Sequence, residues 1–134
     1  MLNVTVNYDK QLFKGHGFTR QDMQKIGAKA IQTITERVAQ AKGLNDTRMK
    51  KLTPPYAKRK SKQGAPPIRN LMLSGAMLGS LNVIEATDQR AVIGFTRQSE
   101  AKKAGYNQAI EPWFGLSKKD QRILQEFINR LLKK

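Results

Sequence analysis

The residues that could do covalent or metal chemistry are few and scattered along this chain. Its 134 residues hold one histidine, His16, and no cysteine, which excludes disulfides, thiolate metal sites and cysteine nucleophiles. His16 lies between two glycines, a context more typical of a surface loop than of a catalytic base. The carboxylates are scattered singly, whereas a metal site needs several ligands close together.

The serine and glycine patterns also fall short of catalytic motifs. Ser74 lacks the G-x-S-x-G context of a hydrolase nucleophile, and no second histidine is present to act as a base for Ser80. Gly15-x-Gly17 has no strand directly before it and no third glycine in register, so it does not match a phosphate-binding loop. We therefore expect a protein that is not an enzyme and that has no cofactor.

Positive charge is the most prominent feature of the composition. The chain has 25 Lys and Arg against 10 Asp and Glu, a net charge of +15. Residues 46–70 carry +7 of it, because one acid accompanies eight basic residues: Arg48, Lys50, Lys51, Lys58, Arg59, Lys60, Lys62 and Arg69. Such side chains neutralise phosphates, and Tyr56 beside them could stack on a base. The alternative is a solvated basic loop that faces an acidic protein, and the sequence leaves both open.

The first half of the chain predicts a strand and a long helix. Alternating apolar residues at 2–8 are typical of a short strand. Thr19 and Asp22 have the spacing of a capping box, and apolar residues then recur at helical spacing from Met23 to Ala41. Gly43 is the expected stop of this amphipathic helix.

The basic segment at 44–66 is predicted to be a mobile loop or a short helix. Thr53 is a suitable N-cap and Pro54 suits the first helical position. Partial disorder is the alternative, because a segment so rich in lysine, glycine and proline buries little apolar surface. We expect it to be mobile in an isolated subunit and ordered by a partner.

The second half of the chain predicts one helical turn, a hairpin and a last helix. Ser74 is the expected N-cap of the turn that leads into the hairpin runs at 81–86 and 91–95. Residues 97–111 are polar and are expected to form a loop. Ser117 begins a helix whose apolar stripe continues to the end of the chain. The fold class is therefore α+β: a single domain over 1–134, in which the long helix and the C-terminal helix pack a small antiparallel sheet made of the N-terminal strand and the hairpin.

Trp113 is the only tryptophan and is followed by Phe114 in a Pro-aromatic-aromatic-Gly-Leu context. Two interpretations are open. The pair anchors a subunit interface, as exposed aromatic residues often do, or it caps the core and seats the last helix.

Four stretches, taken in order, resemble small morphogenesis proteins of tailed bacteriophages, the neck and tail-completion group. The first is Tyr56-Ala57-Lys58-Arg59-Lys60 followed by the proline-led run 71–81, which is similar to the signature Leu-x-x-[Ser/Thr]-Gly-x-[Met/Leu]-Leu-x-Ser-[Leu/Ile]. The Ile-Gly-Phe strand end at 92–95, the polar stretch 103–108 and the Pro-aromatic-Phe-Gly-Leu-Ser-x-x-Asp opening at 112–120 follow it. The resemblance covers roughly 52–132, and the motif residues are Tyr56, Leu73, Ser74, Gly75, Leu78, Ser80, Pro112, Trp113, Phe114, Gly115 and Leu116.

The resemblance implies a structural subunit without catalysis, which forms a homo-oligomeric ring, a hexamer or dodecamer, at the head–tail junction of the virion. It implies assembly in the host bacterial cytoplasm, other neck, connector or tail proteins as partners, and contacts between subunits through the motif residues. Our own hypothesis is that the segment 46–70 faces phage DNA in the lumen or acidic neighbouring rings. The alternative is a sequence-nonspecific basic DNA-binding protein. No membrane partner is expected, since no run approaches the about 20 apolar residues of a membrane span.

Overall fold

The computed structural model describes residues 4–7, 18–49, 54–64, 76–110 and 112–132. Its elements, in chain order, are β1 (Val4–Asn7), α1 (Arg20–Ala39), α2 (Pro54–Lys62), α3 (Ala76–Gly79), β2 (Leu81–Ala86), β3 (Arg90–Phe95), α4 (Gln98–Ile110) and α5 (Lys118–Leu132). The α+β class is confirmed. The described part of the chain contains five helices and one three-stranded antiparallel sheet.

The sheet has the order β1-β3-β2, so the predicted N-terminal strand and hairpin do form one sheet. Val6 of β1 lies opposite Ala91 of β3, and Val83 of β2 lies opposite Ile93. A bulge follows Val83 and leaves Ile84 outside the pairing register. Because Ala91, Ile93 and Phe95 alternate along β3 and are all buried, one face of the central strand is the core face.

Helix α1 packs on the sheet and begins at the predicted capping box. The Thr19 N–H donates to Asp22 Oδ2 at 3.0 Å, and the Asp22 N–H donates to Thr19 Oγ1 at 3.1 Å. Gly27 faces β2, where a Cβ atom would lie 2.8 Å from Val83 Cγ2. The glycine therefore permits a close approach of helix and strand. The buried stripe of α1 runs through Met23, Ile26, Ala30, Ile34 and Val38.

The expected helix stop at Gly43 was wrong by two residues. Helix α1 ends at Ala39, and Ala41 takes the left-handed conformation with φ 58°. The Ala41 N–H donates to the Val38 carbonyl at 2.9 Å and the Lys42 N–H to the Arg37 carbonyl at 3.2 Å. This is the Schellman pattern, in which glycine usually occupies the position of Ala41. The hydrogen bonds and the burial of the Ala41 methyl group offset the cost of its backbone conformation.

The expected loop at 97–111 was also wrong, because residues 98–110 form α4. Its buried side consists of Glu100 and Ala104, too small and too polar a stripe to be recognised in the sequence. The helix is held by the residues that follow it. The Trp113 Nε1–H donates to the Ala104 carbonyl at 3.3 Å, and Gln108 Oε1 accepts from the backbone N–H groups of Trp113 and Phe114.

Helix α5 begins with the second capping box and packs against α1. The Asp120 N–H donates to Ser117 Oγ, and the Ser117 N–H donates to Asp120 Oδ2, both at 3.1 Å. Leu124 is buried, and Phe127 and Ile128 pack beside it on the core. Among the described helices, α5 included, none is long and apolar enough to cross a membrane.

Candidate functional site

The basic segment forms a helix that displays three cations on one side. Helix α2 starts at Pro54, as the short-helix interpretation predicts. Lys58 and Lys62 lie one turn apart, Arg59 lies beside them, and all three side chains are exposed. Lys60 points the other way and is only 1% exposed. No acid occurs in α2, so Lys58, Arg59 and Lys62, here called the cationic α2 face, have no neutralising charge on their own helix.

The other predicted basic residues do not join this face in the described structure. Arg48 is exposed in the turn that follows α1, where its backbone pairs with that of Lys42. Lys50, Lys51 and Arg69 lie outside the described residues, as does the side chain of Tyr56. The structure therefore brings together three of the eight predicted basic residues, and it separates Lys60 from them.

A buried arginine, which the sequence reading did not single out, ties three parts of the chain together. Arg37 Nε donates to Asp120 Oδ2 at 2.8 Å, and both side chains are almost fully buried. Nη2 donates to the carbonyls of Trp113 at 2.7 Å and Gly115 at 3.0 Å, while Nη1 donates to the Lys42 carbonyl at 3.3 Å. These groups are called the Arg37 clasp below. A guanidinium suits this position because it offers five donors in a rigid fork.

Trp113 and Phe114 are core residues of the chain, as the second of the two interpretations predicts. Trp113 is 0% exposed and Phe114 is 7% exposed. Their ring centroids are 5.3 Å apart, and the Phe95 ring lies 6.3 Å from Trp113 and 5.3 Å from Phe114. Both therefore seat the loop before α5 on the sheet, and neither ring offers a surface anchor on the isolated chain.

The neighbouring motif residues shape the same loop. Pro112 is exposed, and its carbonyl accepts from the Leu44 N–H at 3.0 Å. Gly115 has φ 148°, and a Cβ there would lie 3.1 Å from Leu44 Cδ1, so glycine fits both the backbone and the space. Leu116 is partly buried against the core. These residues fix the loop against the turn at 42–48.

Leu78 and Ser80 from the first motif are buried next to the start of the hairpin. The Ser80 hydroxyl donates to the Met77 carbonyl at 2.9 Å, and the Ser80 carbonyl accepts from the Thr96 N–H and Oγ1. The serine thus closes the α3 turn onto the end of β3. Leu73, Ser74 and Gly75 lie outside the described residues.

A shallow depression of about 80 Å³ opens over the Arg37 clasp, between α1 and α5. Its walls mix both charges, with Glu36, Asp46 and Asp120 beside Lys42 and Lys119. Burial raises the pKa of the Asp46 carboxyl, but hydrogen bonds from Ser117 and the Lys119 N–H and the charges of Arg37 and Lys119 outweigh it, so the pKa lies below its ordinary value. Two of the acids in the depression therefore have partners: Asp120 pairs with Arg37, and Asp46 accepts from the Lys119 N–H at 3.3 Å.

Within the described residues, no group of three or more His, Cys, Asp or Glu side chains is placed to hold a metal ion. His16 lies outside those residues. Comparison of the chain with family models, curated proteins and solved structures finds no match.

Proposed function

We propose that the chain is a structural subunit of a tailed-phage neck or tail-completion ring, which joins the DNA-filled head to the tail and carries out no catalysis. The observation that carries the proposal is how the motif residues are used. In the stretch 112–120, Trp113 and Phe114 pack the core, while Ser117 and Asp120 cap α5 and Asp120 pairs with Arg37. The stretch that resembles neck proteins is therefore the one that builds the fold of the subunit and seats its last helix.

The surface of the subunit supports assembly into a ring. β1 and β2 form the two outer strands of the described sheet, and outer strands present backbone groups that a neighbouring subunit can cover. Ile84, at the bulge of the outer strand β2, is 46% exposed, so its side chain is accessible to a neighbouring subunit. In a ring, the cationic α2 face would be repeated once per subunit, so contacts that are weak singly would add through multivalency.

The test is electron microscopy of particles made when this gene is disrupted in its parent phage or prophage. The expected result is DNA-filled heads beside separate, complete tails, with joined virions restored by an intact gene copy supplied in trans. Joined, infectious virions from the disrupted strain would contradict the proposal.

The second candidate function is sequence-nonspecific DNA binding, which the cationic α2 face favours. Replacing Lys58, Arg59 and Lys62 with glutamine should weaken duplex binding and reduce the slope of log affinity against log salt by about 2–3, because each phosphate contact contributes roughly 0.9. The matched control replaces three other exposed cations, Arg20, Lys25 and Arg122. An equal loss in both variants would assign the binding to net charge alone, not to this face.

A further inference from the structure

Helix α4 carries the most exposed large hydrophobic side chain of the described structure. Tyr106 is 72% exposed, whereas the other aromatic residues of its neighbourhood, Trp113 and Phe114, are buried. A tyrosine ring left in water gains nothing for the fold, since its apolar surface stays hydrated. The ring is therefore available to a ligand.

The surroundings of Tyr106 are cationic and open. Lys102 and Lys103 lie one turn before it on the same side of α4, and both are exposed. Ala109 lies one turn after it, and a Cβ added at Gly105 would meet no atom within 4 Å. Two lysines thus lie one helical turn before the ring, and small residues lie beside it.

The helix beneath this surface is fixed in place. Glu100 is buried, and its Oε1 holds Lys103 Nζ at 3.3 Å while the lysine side chain stays 61% exposed. Ala104 is held by Trp113, and Gln108 by the backbone of Trp113 and Phe114. Glu100 is the one carboxylate of α4 and it faces inward. Among the exposed residues of α4, the charged ones are therefore both lysines, and they lie beside the exposed aromatic ring on a helix that is anchored to the core.

We infer that Lys102, Lys103 and Tyr106 form a binding surface for single-stranded nucleic acid. An unpaired base stacks on the Tyr106 ring, and the two lysines bind the flanking phosphates; this combination is how proteins hold single strands without reading sequence. A duplex hides the faces of its bases, so it can use the lysines but not the ring. The inference goes beyond the neck assignment, and its test does not depend on virions.

The test measures fluorescence anisotropy of a labelled oligothymidylate of about 20 nucleotides and of a duplex of the same length, over a range of salt concentrations. Tyr106→Ala should weaken binding of the single strand by about 5- to 150-fold, with no change in the salt slope, because stacking is lost and no charge is removed. It should leave duplex binding unchanged. Tyr106→Phe, which keeps the ring, should bind the single strand as the original chain does.

A lysine substitution, unlike Tyr106→Ala, should change the salt dependence of single-strand binding. Lys102→Gln should lower the salt slope for the single strand by about 0.7, the contribution of one phosphate. Lys25→Gln, which removes one exposed cation from α1, is the matched control and should leave the slope nearly unchanged.

Three results would overturn the inference. The first is the absence of oligothymidylate binding by the original chain, and the second is a Tyr106→Ala variant that binds it equally well. The third is the same loss for single strand and duplex. Since Tyr106 is exposed, unfolding by the substitution is not expected, and an unchanged thermal midpoint verifies this. If heads and tails join without the protein while the variants change single-strand binding as expected, the neck proposal fails and the inferred binding surface stands.

Discussion

Replacing Arg37 with methionine should destabilise the fold more than any surface substitution. The side chains of Arg37 and Asp120 are 4% and 3% exposed, so the change would leave a carboxylate buried without its cation. Removing one partner of a buried pair typically costs about 3–5 kcal/mol. The carbonyls of Lys42, Trp113 and Gly115 would lose a donor as well. Against a typical total stability of about 5–15 kcal/mol, this loss is large.

The assay is urea unfolding followed by the fluorescence of Trp113, which is the only tryptophan and is fully buried. The matched control is Arg90→Met, which breaks the Glu85–Arg90 pair. That pair has a shorter contact of 2.6 Å, but its side chains are 46% and 50% exposed. Its loss should cost less than about 1 kcal/mol, because water screens exposed pairs.

A double-mutant cycle separates the ion pair from the other bonds of the clasp. Arg37→Met combined with Asp120→Asn should cost less than the sum of the two single changes, by more than about 1 kcal/mol, because each single variant leaves a lone buried charge and the double variant leaves none. The reasoning would be refuted if Arg37→Met cost no more than Arg90→Met, or if the two changes of the cycle were additive.

Three further perturbations test the fold. Gly27→Ala should destabilise the fold by about 1–3 kcal/mol, because the new methyl group would lie 2.8 Å from Val83 Cγ2. The methyl group of Gly105→Ala would meet no atom within 4 Å, so this variant should gain up to about 1 kcal/mol of helix stability. The midpoints of urea unfolding of the two variants measure the difference. Thr19→Ala removes one half of the first capping box and should cost about 1 kcal/mol, with Thr19→Ser as the control that keeps the hydroxyl. The pKa of Asp46 in the folded chain lies below its ordinary value of 3.8, so its carboxylate stabilises the fold above pH 3.8, and this contribution is lost as the pH falls through the lowered pKa. Asp46→Asn should therefore make the free energy of unfolding depend less on pH in the acid range. An unchanged pH dependence would count against this role of Asp46.

The elements that could be predicted from the sequence are those with a strong local signal. Helix α1 has a capping box and a continuous apolar stripe, and the expected N-caps of α1 and α5, Thr19 and Ser117, are present. The hairpin strands are rich in β-branched residues around a polar turn, and they pair in the expected antiparallel way. In each case the local preference and the tertiary packing agree.

The elements that were missed depend on partners distant in the sequence. Helix α4 has a short buried stripe, and its stability comes from Trp113 and from Gln108, which caps the following loop. The end of α1 depends on a buried alanine that adopts a conformation for which glycine is the usual signal. The spacing of residues in the sequence indicates neither the contacts of Trp113 and Gln108 nor the burial of Ala41.

For the candidate site, the sequence predicted the charge but not its arrangement. Helical spacing does place Lys58, Arg59 and Lys62 on one side of α2 once the helix is accepted. The burial of Lys60 depends on its surroundings and had no local signal. Arg37 did have one, because it lies three residues after Ile34, on the buried stripe of α1, where a charged residue requires a partner.

The measurement that tests the proposed function most directly is complementation in vitro. Purified protein would be added to a lysate of the gene-disrupted phage, and the infectious particles and joined virions would be counted. The account predicts that joining and infectivity rise with the amount of protein added, and that the Arg37→Met variant, deprived of the clasp, restores less. Unjoined heads and tails after saturating addition of folded protein would contradict the assignment to the head–tail junction.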